Sequence, residues 1–169
     1  MIAPLILFFQ FLTTVPFSIG QRDPAPDFSA VTLDGQRFTN DALKGRTVLI
    51  EFWTTWCRFC RRDEPLLDSL LATKDRTRLT ILAVNVNESR NTVRAYLARF
   101  PRISKVILTE ETNLVATYSP RSLPLYVLID HAGNIVAIRR GAMDERAFQS
   151  LVSAINDDLQ QADPACCTK

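Results

Sequence analysis

The stretch from Val48 to Cys60 constrains this chain more than any other. Val48-Leu49-Ile50-Glu51-Phe52-Trp53 is a continuous apolar run with one acid inside it, the pattern of a central strand buried on both faces. Trp56-Cys57-Arg58-Phe59-Cys60 follows, and from Arg58 to about Thr73 the residues Leu66, Leu67, Leu70 and Leu71 recur at helical spacing, with Pro65 inside as an expected kink. Strand, CxxC and helix together put Cys57 at a helix N-terminus, where unpaired backbone N–H groups and the helix dipole stabilise a thiolate. Cys60 then lies one helical turn away and is able to close a disulfide with it. Thiol–disulfide exchange needs this spacing: one thiolate attacks a partner disulfide and the second thiol resolves the mixed intermediate. Arg58, Arg61 and Arg62 add positive charge around Cys57, which favours its thiolate further. A static disulfide and half of a metal site are the competing readings. A metal site needs two more ligands, and the only histidine, His131, falls in a turn far along the chain.

The rest of the sequence supplies an α/β setting for that segment. Phe28 to Leu33 and Arg37-Phe38 flank the hairpin signal Asp34-Gly35, and Thr39 to Leu43 allows one helical turn before Gly45. Leu79 to Val86 reads as a strand, Asn87 as the cap of a helix to about Arg99, Lys105 to Leu108 as a short strand and Thr112 to Tyr118 as a short helix. Pro124 to Ile129 and Ile135 to Arg140 flank a second hairpin at His131-Ala132-Gly133-Asn134, and a last amphipathic helix opens at Met143 or Asp144. Strands alternating with helices and ending in a hairpin imply a mixed sheet with helices on both faces. With 169 residues the chain is long enough for one domain and too short for two well-packed ones. A net charge of +2 without long like-charge blocks leaves no electrostatic footprint for nucleic acid.

Residues 1–20 carry no charged side chain, Leu5 to Leu12 is almost purely apolar, and Ser18-Ile19-Gly20 precedes the polar Gln21-Arg22-Asp23. The segment reads as a secretory signal peptide, with an uncleaved membrane anchor as the second reading. At the other end, residues 161–169 form a tail that contains the adjacent pair Cys166-Cys167. Neighbouring cysteines bridge only through a strained ring. The tail pair therefore reads as two exposed thiols, a shuttle to Cys57, or soft-metal ligands.

Phe52 to Cys60 resembles the active-site segment of thioredoxin-fold oxidoreductases, most nearly the exported TlpA/ResA-like branch. Ala30 to Gly35, Ala83 to Ser89, Leu123 to Asp130, Gly133 and Gly141 to Glu145 are similar as well. The resemblance implies a three-layer thioredoxin-like domain over residues 24–160, with an extra N-terminal hairpin and a central αβ insertion. It implies that Cys57 is the nucleophile, Cys60 the resolving thiol, and the two a redox-active disulfide. Pro124 matches the cis-proline that faces the CxxC, leaving the backbone of Leu123 to pair with a substrate strand. Trp53 and Trp56 match the family's aromatic pair, and Trp56, Arg58, Phe59 and Leu123 are the expected substrate groove. Glu51 stands six before the nucleophile, where thioredoxins keep a buried acid; burial raises its pKa and fits it to accept a proton from Cys60. Asp63 or Glu64 is a second acid near the site, and Pro65 matches a helix-kink proline.

This pattern departs from the family in two places. Arg58-Phe59 lacks the proline that most relatives carry before the second cysteine, which leaves the direction of electron flow open. Leu125 and Tyr126, where relatives often have threonine, suggest an apolar partner groove. The function expected is an exported, periplasmic or extracytoplasmic protein-disulfide oxidoreductase serving redox homeostasis or cytochrome c maturation. It uses no cofactor and no metal, and acts as a monomer on protein dithiols or disulfides, recharged by an upstream thiol–disulfide donor. Thr54-Thr55-Trp56-Cys57 also fits the T-x-x-C fragment of peroxiredoxins, so a thiol peroxidase is one alternative and a copper- or zinc-binding CxxC module another.

Overall fold

The computed structural model describes residues 23–162. Seven strands, β1 (Ser29–Thr32), β2 (Arg37–Thr39), β3 (Thr47–Trp53), β4 (Leu79–Asn85), β5 (Lys105–Thr112), β6 (Leu125–Ile129) and β7 (Ile135–Arg140), form one sheet in the order β2-β1-β5-β4-β3-β6-β7. The helices are α1 (Arg58–Thr73), α2 (Arg90–Arg99), α3 (Leu114–Tyr118) and α4 (Glu145–Gln161), with a 3-10 turn over Asp41–Leu43. β3, β4 and β5 are parallel, joined through α1 and α2 as crossovers; the other pairings are antiparallel. The β1–β2 hairpin and the α2–β5 pair are the two additions that the resemblance implies.

All seven residues of β3 are buried, as its apolar run demands of a strand between β4 and β6. Alternation along a strand sends Val48, Ile50 and Phe52 to one face and Leu49, Glu51 and Trp53 to the other. The first set packs with Phe28, Leu82, Val127 and Leu114 of α3. On the opposite face Leu49 meets Leu67, Leu70 and Leu71 of α1 and Ile155 of α4, while Trp53 packs with Cys57, Cys60 and Val93 of α2. Glu51 therefore sits between two apolar clusters, directly beneath α1.

Three local expectations are corrected. Ser89 caps α2, its hydroxyl accepting from the Thr92 N–H, and Asn87 instead takes a left-handed φ of 57° that asparagine tolerates. β5 runs four residues past Leu108, because its antiparallel pairing with β1, which spans Ile107 to Thr112, continues beyond the end of its pairing with β4 at Leu108. Leu125 and Tyr126 are buried at 2% and 3% exposure, so neither contributes an apolar groove wall.

The far end of α4 is pinned by one buried carboxylate. Asp158 accepts from the Thr47 hydroxyl at 2.6 Å and the His131 main-chain N–H at 2.9 Å, and contacts His131 Nδ1 at 2.6 Å. The histidine of the second hairpin is thus a tertiary clamp at the start of β3.

Candidate active site

Cys57 is the N-cap of α1. Its sulfur accepts the Cys60 N–H at 3.1 Å and is bonded to the Cys60 sulfur, the two Cα atoms 5.3 Å apart. When the bond is reduced, that amide and the helix dipole stabilise negative charge on Cys57. The pair is less open than the sequence suggests: Cys57 is 5% exposed and Cys60 1%. Trp53 supports both from below at 1% exposure, while Trp56 stands out at 71%.

Across from the pair the chain approaches through a cis Leu123–Pro124 bond. The Pro124 carbonyl accepts from the Gly141 N–H at 2.8 Å, which ties this turn to the end of β7. Among the described residues, the main-chain N–H and C=O of Leu123 have no hydrogen-bond partner. Trp56, Arg58, Phe59 and Leu123 line one groove of about 430 Å³ with Cys57, and Arg121, two residues before Leu123, lines it too.

Beneath the disulfide lies a buried charge network. Glu51 is fully buried, and Arg102, with a side chain 1% exposed, forms an ion pair with it. The Arg102 Nε also lies 3.0 Å from Glu64 Oε1, without the alignment of a hydrogen bond, and its guanidinium stacks over Trp53 at 4.5 Å. Tyr96 donates to the other Glu64 oxygen at 3.3 Å. Burial pushes the Glu51 carboxyl up to about 7, with Arg102 pulling it back only in part. Burial also raises Glu64 above the ordinary carboxylate range. Glu51 Oε1 is buried without a hydrogen-bond partner among the described residues.

The two candidate second acids separate clearly. Asp63 accepts from the Tyr126 hydroxyl at 3.1 Å, the Met143 N–H at 2.7 Å and Arg62 at 3.1 Å, so it ties α1 to the segment entering α4. Glu64 is the one that shares Arg102 with Glu51. Arg102 carried no signal in the sequence, since it sits in the loop after α2 among many exposed arginines.

The redoxin family model matches residues 21–155. The chain belongs to the redoxin family. Curated relatives agree: the thiol–disulfide oxidoreductase ResA of Bacillus subtilis (strain 168) is 30% identical over 142 residues, covering 82% of this chain and 77% of the relative. The ResA of Halalkalibacterium halodurans is 28% identical over 136 residues, covering 80% and 77%. A solved thiol:disulfide interchange protein of the thioredoxin family from Chlorobium tepidum TLS superposes with a TM-score of 0.70 at 27% identity, covering 83% of this chain and 98% of that one. This redoxin is a thiol–disulfide oxidoreductase of the ResA type, with Cys57 and Cys60 as its CxxC pair.

One further residue of the redoxin was missed by sequence reasoning. Glu88, in the loop after β4, accepts from the Thr55 N–H at 2.6 Å, the Thr55 hydroxyl at 2.5 Å and Asn85 Nδ2 at 2.7 Å. It fixes the turn two residues before Cys57. Glu88→Ala leaves that N–H without its partner and is expected to cost about 1–3 kcal/mol, read as a lowered denaturant midpoint with unchanged slope; an unchanged midpoint would show that the clamp carries no stability.

Among the described residues, no cluster of three or more His, Cys, Asp or Glu side chains is placed to hold a metal ion, and no helix is long and apolar enough to cross a membrane. Residues 1–20 and the pair Cys166-Cys167 lie outside the described residues. The chain leaves α4 at the end marked by Asp158 and Thr47, whereas Cys57 follows the other end of β3, about 20 Å away for seven strand residues.

Proposed function

We propose that this redoxin is an exported enzyme that exchanges disulfides with partner proteins in an extracytoplasmic compartment, with residues 1–20 as its signal or anchor. Redox homeostasis is the role, and cytochrome c maturation the narrower use suggested by the resemblance to the TlpA/ResA-like branch. The observation that carries the exchange function is the Cys57 sulfur on the α1 N-terminus, beside a groove whose Leu123 backbone is unpaired.

In the reducing direction, the Cys57 thiolate attacks one sulfur of a partner disulfide. The Cys57–partner disulfide forms, the partner's own S–S bond breaks, and its second sulfur leaves as a thiolate. Cys60 gives its proton to the Glu51 carboxylate and attacks Cys57, so the partner's remaining sulfur departs. The partner gains two electrons and the enzyme is left with the Cys57–Cys60 disulfide. The oxidising direction is the reverse, with Glu51 returning the proton to Cys60. The side chains that set the Glu51 proton are Arg102, Glu64, Asp63 and Tyr126 around it.

The pH dependence follows in sign. Glu51 titrates near 7, so below that it holds a proton and accepts none, and above it the base is present. The resolving step should rise with pH through about 7. Glu51→Gln should remove that rise and slow reduction of a test disulfide at pH 8 by about a hundredfold, the low end of positioned general-base catalysis. Retention of the wild-type profile in the Gln variant would sink the role of Glu51. The reduction potential of the Cys57–Cys60 pair then decides whether the enzyme gives or takes electrons in its compartment.

A further inference from the structure

The groove beside the disulfide carries a charge pattern that exchange chemistry does not itself require. Its two walls come from distant parts of the chain, Trp56, Arg58 and Phe59 at the start of α1 and Arg121 and Leu123 before the cis-proline. Each wall presents one exposed arginine, and no acidic side chain lines the groove. Arg61 is exposed on the following turn, while Arg62 divides its guanidinium between Asp63 and the Met143 carbonyl. Phe59 is held with the guanidinium groups of Arg58 and Arg62 at 5.5 and 5.7 Å from its ring.

None of the nearby carboxylates lines the groove, and each is engaged in other contacts. Asp63 is buried against Tyr126 and Met143, Glu64 is drawn inward to Arg102 and Tyr96, and Glu88 is bound to Thr55 and Asn85. With a net charge of only +2 over the whole sequence, the positive charge here is a local accumulation.

We infer that the partner segment taken by this groove is acidic: an extended stretch with aspartate or glutamate on both sides of its reactive cysteine. The inference rests on the exchange function proposed above and names its substrate class. Arginines on both walls match carboxylates flanking a cysteine on both sides, and the exposed faces of Trp56 and Phe59 accept apolar atoms between them. Single exposed ion pairs contribute little to affinity. Two exposed arginines from separate segments of the groove lining act instead on the encounter, raising the rate at which an acidic segment reaches Cys57 and giving that rate a salt dependence.

The test uses the full chain, reduced, with three disulfide-bonded peptides of one length whose flanks are acidic, neutral or basic, and with 2-hydroxyethyl disulfide as an uncharged reference. The expected order of kcat/KM is acidic, neutral, basic, with about tenfold between the extremes at about 0.01 M salt, where the screening length is about 30 Å. The gap should close at about 1 M salt, where that length is about 3 Å. Arg58→Glu with Arg121→Glu should invert the acidic-to-basic ratio measured within the variant, and the two alanine substitutions should bring it near one. Equal rates for the three peptides, or a preference insensitive to salt and to both pairs of substitutions, would overturn the acidic partner while leaving exchange intact. Failure to reduce any peptide and the hydroxyethyl reference alike would overturn the exchange reading beneath it.

Discussion

Cys60→Ser is expected to turn this redoxin from a catalyst into a trap. Cys57 keeps its place as N-cap of α1 and still attacks a partner disulfide, but no second thiol stands one turn away to release the product. The partner should remain joined through a mixed disulfide, seen as an adduct on a non-reducing gel that a reductant dissolves. Cys57→Ser should form no adduct and lose turnover by about three orders of magnitude or more, because the nucleophile itself is gone. Cys57 and Cys60 are only 5% and 1% exposed, so a serine hydroxyl in either place costs about 1–3 kcal/mol, and the denaturant midpoint of each variant is read beside its turnover to show that it is folded. Full peroxide turnover by Cys60→Ser, with no trapped partner, would instead favour a peroxidase.

Arg102→Leu is expected to be the most destabilising single substitution at the site. It removes the cation shared by two buried carboxylates and the group stacked on Trp53, and breaking a buried pair from one side costs about 3–5 kcal/mol. The loss should depend on pH in a definite direction. The folded-state pKa of Glu51 is raised above its ordinary 4.5, to about 7, so the folded chain holds the Glu51 proton more tightly than the unfolded chain does. Stability from this group is therefore greatest below about 4.5 and falls as pH rises through 7. Without Arg102 the carboxyl moves higher still, and the variant should be closest to wild type at pH 5 and furthest from it at pH 8. Adding Glu51→Gln to Arg102→Leu should recover part of the midpoint at pH 8. Denaturant midpoints across that range check both statements; a deficit constant with pH would mean that Arg102 acts through packing alone.

The fold was legible to an unusual degree because its elements carry strong local patterns. The apolar run of β3 leaves no choice but burial on both faces, and the leucines of α1 keep helical spacing from Cys57 to Thr73. The second half of β5 was not legible, since Thr109-Glu110-Glu111-Thr112 has no apolar alternation and becomes a strand only by pairing with β1. Asn87 misled as a cap because its side chain suits both a helix start and the left-handed turn it occupies.

For the site, the sequence alone determined the strand–CxxC–helix unit and the acid inside β3, because these are fixed by spacing along one continuous segment, whereas Pro124 was placed opposite the CxxC only by the resemblance to the thioredoxin-fold family. Tertiary structure decided which charges meet. Asp63 and Glu64 are neighbours in sequence, yet the helix turns one toward Tyr126 and Met143 and the other toward Arg102. Arg102 and Arg121 become part of the site only when loops from opposite sides of the sheet converge on Cys57 and Glu51. Side-chain pairing between segments tens of residues apart is set by how the layers pack, and no local pattern encodes it.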